Sequence, residues 1–296
     1  MTRTLRFGLI GTGYWAATVH AHGIAAHPQT ELVGVWGRDP AKAETVAAQY
    51  GAQPFEDVDE LIGAVEAVAF AVPPDLQAEL AVRAGEAGRW LLLEKPLALT
   101  VEAAERVVQA ARAPTVVFFT RRFDPGLRAW FGTEVDGHGW DGGSAALLAS
   151  IFEPGNPFGE SEWRRGQGAL WDVGPHALAL LLPTLGAVEQ VAAVRGRGDE
   201  VHLALRHATG AASSVMLSLT APAQMTEVRF WGSDGVARMP LDVDVAAAYA
   251  GAIDALLAGD TRFDAGFALD VVRVLAAADE QLDDAVHPEA KVSRGP

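Results

Sequence analysis

The run Trp90-Leu91-Leu92-Leu93-Glu94-Lys95-Pro96 limits the folds open to this chain more than any other stretch. Four apolar residues in succession end in an acid, a base and a proline. An unbroken apolar run of this kind reads as a strand buried on both faces, as in the middle of a parallel sheet. Pro96 has no N–H to give to a ladder, so the strand stops there. Lys95 is thereby delivered to the carboxyl edge of the sheet, the edge at which open α/β sheets bind ligands.

The flanking sequence supplies the other parts of such a sheet. Leu5–Ile10 is a short apolar run followed by Gly11-Thr12-Gly13-Tyr14-Trp15-Ala16, a G-x-G-x-x-G/A pattern between a strand and a helix. Gly11 permits a tight turn, Gly13 lets a pyrophosphate approach the backbone, and Ala16 lets helix and strand pack closely. The positive end of the helix dipole then faces the phosphates. A second strand is predicted over 31–36. An NAD site often carries an acid just beyond it, but this chain has Gly37 and Arg38, and an arginine suits a 2′-phosphate. The expected cofactor is therefore NADP or NAD, with NADP favoured. Asp39-Pro40 reads as a helix cap with proline at the first helical position. Helices over 41–50 and 57–64 precede a strand over 67–72 that stops at Pro73-Pro74. A helix to 87, the strand at 90–94, a helix over 101–111 and a strand over 115–119 follow. Strands separated by helices predict parallel pairing through right-handed crossovers. Residues 1–119 are thus expected to form one doubly wound domain.

The pattern changes from Thr120, and 120–296 is expected to form a second domain. Arg121-Arg122-Phe123-Asp124-Pro125 reads as a junction, and 132–143 as a glycine-rich loop. Strand patterns at 145–152, 188–194, 201–207, 213–219, 228–231 and 236–239 have few helical runs between them, which predicts a mostly antiparallel sheet. Helices over 243–258 and 265–280 close the chain, with Gly259 as a C-cap, and the tail after Asp284 reads as frayed. Within this half, Gly174-Pro175 reads as a helix start, so that Asp172 precedes the helix and His176 sits in its first turn. The dipole there disfavours an imidazolium, and a neutral imidazole can accept a proton from an alcohol. Asp172 would orient His176 or bind a substrate hydroxyl. A capping cluster with an incidental histidine is the rival reading. The other histidines (His20, His22, His27, His202, His207, His287) read as surface or core.

Composition removes several function classes. The formal net charge of −15 argues against nucleic acid or an anionic membrane as partner. No cysteine is present, which excludes disulfides, thiolate catalysis and Cys-based zinc sites. No apolar run has the length of a membrane-spanning helix, and the first residues lack the sections of a signal peptide. A cytoplasmic protein is the expectation. No H-E-x-x-H or similar ligand set is present, so no metal is expected.

Glu94-Lys95-Pro96, the G-x-G-x-x-A loop, Arg122-Phe123-x-Pro125, Trp163-Arg164 and Gly168-Ala169-Leu170-x-Asp172-x-Gly174-x-His176 occur here in one order. That order resembles the family of glucose–fructose oxidoreductase, inositol dehydrogenase and the rhizopine-catabolism proteins (Gfo/Idh/MocA). The resemblance implies an α/β chain: a Rossmann domain, then an α/β domain on a mostly antiparallel open sheet. In this family that sheet's open face often packs against another subunit, which implies a homodimer or homotetramer. It implies an NAD(P)-dependent dehydrogenase acting on a sugar, inositol or related polyol. Carried onto matching positions, Lys95 would bind the reacting oxygen, His176 would exchange its proton, and Asp172 would bind substrate. Gly11, Gly13, Tyr14, Trp15, Arg38, Pro73, Glu94 and Lys95 would line the cofactor site, and the Lys95–Pro96 bond would be cis. Thr120 and Arg122 would contact substrate, although Arg122 could equally pair across the domain junction. The pattern also departs from the family's. Gln77 stands nearest to the place of a common histidine after Pro73, Ala179 replaces a common aspartate, and the stretch between Trp163-Arg164 and Gly168 is short. A catalytically silent NAD(P)-binding sensor of the same fold, and a lyase or glycosidase using nicotinamide transiently, are the alternatives.

Overall fold

A computed structural model describes residues 4–286. The chain divides into two compact units. One holds the chain up to Arg128 together with Val243–Val272; the other holds Ala129–Asp242 and the chain from Arg273 onward. This division differs from a single cut after residue 119, because a late segment returns to the first unit.

The first unit is built on β1 (Leu5–Ile10), β2 (Thr30–Trp36), β3 (Gln53–Phe55), β4 (Ala67–Phe70), β5 (Trp90–Leu93) and β6 (Thr115–Val117). They pair in the order β3-β2-β1-β4-β5-β6, and every pairing is parallel. The order reverses between β1 and β4, which makes that edge the topological switch point. A π-helical turn, Ala16–Ala21, runs into α1 (His22–Ala26) after the glycine loop. Then come α2 (Pro40–Tyr50), α3 (Val58–Ala64), α4 (Pro74–Glu86) and α5 (Val101–Ala110). Asp39 caps α2 by accepting from Ala41 N and Lys42 N, at 3.1 and 3.3 Å, with Pro40 next in line. Leu91, Leu92 and Leu93 are fully buried, as a strand covered on both faces requires. β3 escaped the sequence reading because it is short and carries Pro54, which confines it to the sheet edge.

The residues read as a junction form two short helices, α6 (Thr120–Phe123) and α7 (Pro125–Trp130). Part of the stretch read as loop is a π-helical turn, Phe131–Val135. The second unit's sheet contains β7 (Gly142–Ser150), β8 (Val188–Arg195), β9 (Val201–His207), β10 (Ala212–Ser218), β11 (Thr220–Gly232) and β12 (Gly235–Arg238). Their order is β12-β11-β7-β10-β9-β8, antiparallel except for the β7–β10 pair. Along β9, buried Val201, Leu203, Leu205 and His207 alternate with exposed His202, Ala204 and Arg206, as in a sheet covered on one face. Two helices lie between β7 and β8: α8 (Glu162–Asp172) and α9 (Gly174–Leu185). The sequence analysis assigns no element to α8, whose Gly166 and Gly168 weaken a helical pattern, and the helix does kink at Gly168 (φ 68°, ψ −165°). β11 begins eight positions before the expected 228 because its early part is irregular, with a register shift between Thr220 and Met225.

The chain ends with α10 (Val245–Ala258) and α11 (Ala265–Val286). Gly259 closes α10 in the left-handed region, as expected. α11 continues through Val286, past the expected end at 280, and the rest of the tail with His287 lies outside the described residues. α10 packs against α1, α6, β5 and β6 of the first unit. Its anchor is Tyr249, fully buried, whose ring lies edge-on to Phe118 at 5.1 Å and to His20 at 4.8 Å. Gly23 makes room for it: a Cβ there would stand 2.2 Å from Tyr249 Cδ1.

Alanine normally favours a helix over glycine by about 1 kcal/mol. Gly23→Ala is nevertheless expected to destabilise by about 1–3 kcal/mol, because Tyr249 must move. Urea unfolding monitored by circular dichroism measures the sign, and a stabilised variant contradicts this seating of α10.

Candidate active site

The glycine loop leaves β1 at the switch point. Gly11 has φ +135° and lies so close to the β4 end that a Cβ would sit 2.4 Å from Ala71 O. No other residue type fits there. Gly13 is exposed, and a Cβ built on it meets nothing within 4 Å, so its backbone is open to approach. The helix begins at once, with Ala17 N donating to Gly13 O at 3.0 Å. These features fit a pyrophosphate held by backbone N–H groups at a helix start. Tyr14 is exposed and Trp15 half-buried. Beyond β2, Gly37 is buried against Thr12, leaving 2.5 Å between an added Cβ and Thr12 Cγ2. The neighbouring Arg38 is exposed. Pro73, half-buried, stands just before α4.

At the end of β5 the Glu94-Lys95-Pro96 corner turns through a cis Lys95–Pro96 bond, as the resemblance implied. Glu94 and Lys95 are half-buried, and Pro96 is buried. The Glu94 carboxylate joins several elements. Its Oε1 accepts from Trp15 Nε1 at 2.7 Å and lies 2.9 Å from His20 Nε2; its Oε2 accepts from Lys95 N at 3.2 Å. His20 Nδ1 is 3.0 Å from the Tyr249 hydroxyl. Burial pushes the Tyr249 phenol well above its ordinary value, and the Glu94 charge adds to that shift.

Gln77 holds the same corner from the other side. Its Nε2 donates to Glu94 O at 2.7 Å, Pro96 O at 3.1 Å and Leu97 O at 3.3 Å, and its Oε1 accepts from Glu94 N at 2.8 Å. The amide is fully buried. A side chain with both a donor and an acceptor end is what this corner requires. Gln77, nearest to where the resemblance would set a histidine, is thus committed to the backbone of Glu94–Leu97.

Thr120 opens α6, and the Arg122 guanidinium lies 4.8 Å from the Phe263 ring centre, a cation–π arrangement within the first unit. Burial lowers the neighbouring Arg121 guanidinium from its ordinary value.

The second unit carries the other predicted residues. Asp172 ends α8 and is buried, while Val173 separates it from α9, so no single helix spans Asp172 and His176. Pro175 stands in the first turn of α9, as the sequence indicated, and His176 N donates to Val173 O at 3.1 Å. Asp172 Oδ2 accepts from Arg164 Nε at 3.0 Å. Arg164 also lies over the rings of Trp163 and Phe158, at 4.8 and 5.1 Å. Asp172 is therefore held by an arginine that is itself braced by two aromatic rings.

The first unit gathers the glycine loop, Trp15, Glu94 and Lys95 at the carboxyl ends of β1 and β5. The second places Asp172 and His176 at one helix corner. Sequence reasoning missed His20, Gln77 and Tyr249. His20 follows Ala16 by four positions, hence on the same face of the helix after the glycine loop, which was the available signal. Among the described residues no group of three or more His, Asp or Glu side chains could hold a metal ion, and no helix is long and apolar enough to cross a membrane.

Comparison with known proteins identifies the family and the fold. Residues 5–121 match the oxidoreductase family with an NAD-binding Rossmann fold, and residues 143–238 match the GFO/IDH/MocA C-terminal domain. The chain belongs to the Gfo/Idh/MocA family of oxidoreductases. It is 37% identical to the inositol 2-dehydrogenase of Rhizobium meliloti over 130 residues, 43% of this chain and 39% of that protein. It is 30% identical to the dTDP-3,4-didehydro-2,6-dideoxy-alpha-D-glucose 3-reductase of Streptomyces antibioticus over 188 residues, 62% of this chain and 57% of that protein. The matches thus span roughly two fifths to three fifths of these curated relatives. The fold is shared with GenD2 from gentamicin A biosynthesis, solved in complex with NAD, at a TM-score of 0.81 and 24% identity over 96% of each chain.

Gln77→Leu keeps the bulk and removes both polar ends, leaving four backbone groups of the corner without their partner. It is expected to lower stability by about 1–3 kcal/mol for each group that stays unsatisfied. A urea midpoint equal to that of the unaltered protein contradicts the clamp.

Proposed function

We propose that this protein is an NAD(P)-dependent oxidoreductase that moves a hydride between a nicotinamide and a secondary alcohol carbon of a sugar, inositol or related polyol. The observation that carries the reading is the Glu94-Lys95-Pro96 corner, tied through Trp15 to the helix of the glycine loop. It delivers a lysine to the sheet edge where dinucleotides bind in this architecture. The named activities of relatives, inositol 2-dehydrogenase and a deoxysugar 3-reductase, support the substrate class. Nicotinamide, when bound, supplies the redox chemistry.

The chain's own residues manage the proton and the charge. In the oxidising direction, the carbinol carbon gives up its hydride as the hydroxyl gives up its proton. The Lys95 ammonium stabilises the negative charge developing on that oxygen, and His176 accepts the proton. Asp172, braced by Arg164, binds a neighbouring hydroxyl. Thr120 and Arg122 belong to the same substrate-binding set, while Tyr14 and Pro73 line the cofactor side. Arg38, exposed beside a position that Thr12 keeps free of a side chain, supports NADP over NAD. We assign the open face of the second sheet to contact between subunits in a homo-oligomer, and the enzyme to the cytoplasm, where its cofactor resides.

A panel of inositols, sugars and sugar acids, assayed at 340 nm with NAD and NADP, tests the activity. With the best substrate, Lys95→Ala and His176→Ala are each expected to lower kcat by about 10²–10⁴-fold. Cofactor affinity should stay within about threefold. Near-normal kcat in Lys95→Ala contradicts the assignment. Arg38→Ala is expected to weaken NADP about 10–100-fold, the worth of a hydrogen bond to a charged group, and to leave NAD unchanged. Equal effects on both dinucleotides remove Arg38 from the 2′-phosphate site.

A further inference from the structure

Behind Glu94 lies a line of buried polar side chains. The Tyr249 hydroxyl of α10 is 3.0 Å from His20 Nδ1, and His20 Nε2 is 2.9 Å from Glu94 Oε1. Tyr249 and His20 are both fully buried. Trp15 Nε1 donates to the same carboxylate oxygen at 2.7 Å.

One proton arrangement satisfies the whole line. The phenol donates to a bare Nδ1, and the Nε2–H donates to Oε1. The opposite neutral tautomer would set a bare Nε2 against a carboxylate oxygen, two acceptors face to face. The hydrogen-bond network therefore assigns the Nε2–H form. The Glu94 carboxylate then receives three N–H groups, from Trp15, His20 and Lys95. The line ends at a phenol that is sealed in the core and held protonated. It is an anchor and offers no route for protons to solvent.

We propose that Tyr249 and His20 are positioning residues that fix the Glu94 carboxylate as a negative charge at the nicotinamide end of the cofactor site, and that this charge sets the protein's preference for oxidised over reduced cofactor. The inference rests on the oxidoreductase reading above. An oxidised nicotinamide ring is cationic and a reduced one is neutral, so a fixed anion distinguishes them. A carboxylate free to rotate into water would be screened and would distinguish them less. A purely structural role for the line would change stability, or both affinities together, without changing their ratio.

The test uses the full-length protein, Tyr249→Phe and Glu94→Gln. Dissociation constants for oxidised and reduced NADP and NAD are measured by titration. Long-range proton–nitrogen NMR of histidine-labelled protein without cofactor reads the His20 tautomer. The unaltered protein should show the Nε2–H form. Glu94→Gln should shift the ratio of the two dissociation constants toward the reduced form by about tenfold. Tyr249→Phe should shift it the same way by a smaller factor and keep the Nε2–H form, whereas Glu94→Gln, whose amide can donate as well as accept, should release the tautomer to a mixture. An Nδ1–H or doubly protonated His20 in the unaltered protein overturns the inference. So does an unchanged ratio in Glu94→Gln while the unaltered protein binds cofactor and turns over. If the unaltered protein binds no dinucleotide, the oxidoreductase reading fails first and takes this inference with it.

Discussion

Much of the first unit depends on how one carboxylate is shared. Glu94 stands where β5 ends, and its two oxygens take N–H groups from the glycine-loop helix, from His20 and from the next residue of its own corner. A carboxylate has lone pairs enough for all three, and each such charge-assisted bond is stronger than a neutral one. Gln77 completes the arrangement from α4 by holding the backbone on both sides of the turn. The corner is thus fixed in its main chain and in its side chain. A lysine delivered by such a corner has a defined origin, which the role proposed for Lys95 at a developing oxyanion requires.

The same interactions explain why a segment near the carboxyl end belongs to the first unit. α10 brings Tyr249 into the space over Gly23 and against His20 and Phe118. His27 Nε2 adds a contact to Asp254 Oδ1 at 3.1 Å. The polar line beneath Glu94 therefore depends on residues more than two hundred positions apart. A chain cut after residue 119 would lose Tyr249 and expose the cluster it seals.

The parallel sheet was legible in the sequence because its strands are short apolar runs bounded by Gly and Pro, with capped helices between them. Asp39-Pro40, Gly259 and Pro175 marked helix ends by local chemistry that the surrounding fold does not override. The Leu91–Leu93 run announced its own burial. Less visible were elements whose residues contradict their structure: β3 with its proline, α8 with its glycines, and the irregular early part of β11. At the candidate site, the residues of recognisable motifs were legible and their supports were not. Gln77, His20 and Tyr249 act through contacts between distant segments, and nothing in their immediate neighbours announces such contacts. His20 in particular read as a surface or core histidine; it is a core residue, and what the reading missed is its contact with the E-K-P acid.

The central claim is that the edge bearing Gly13 and Lys95 is a nicotinamide dinucleotide site. A crystal structure of the protein soaked with NADP tests it most directly. The account predicts a pyrophosphate over Gly13 and a nicotinamide ring beside the Glu94-Lys95-Pro96 corner. An ordered dinucleotide elsewhere on the chain, or none at a saturating concentration, contradicts it.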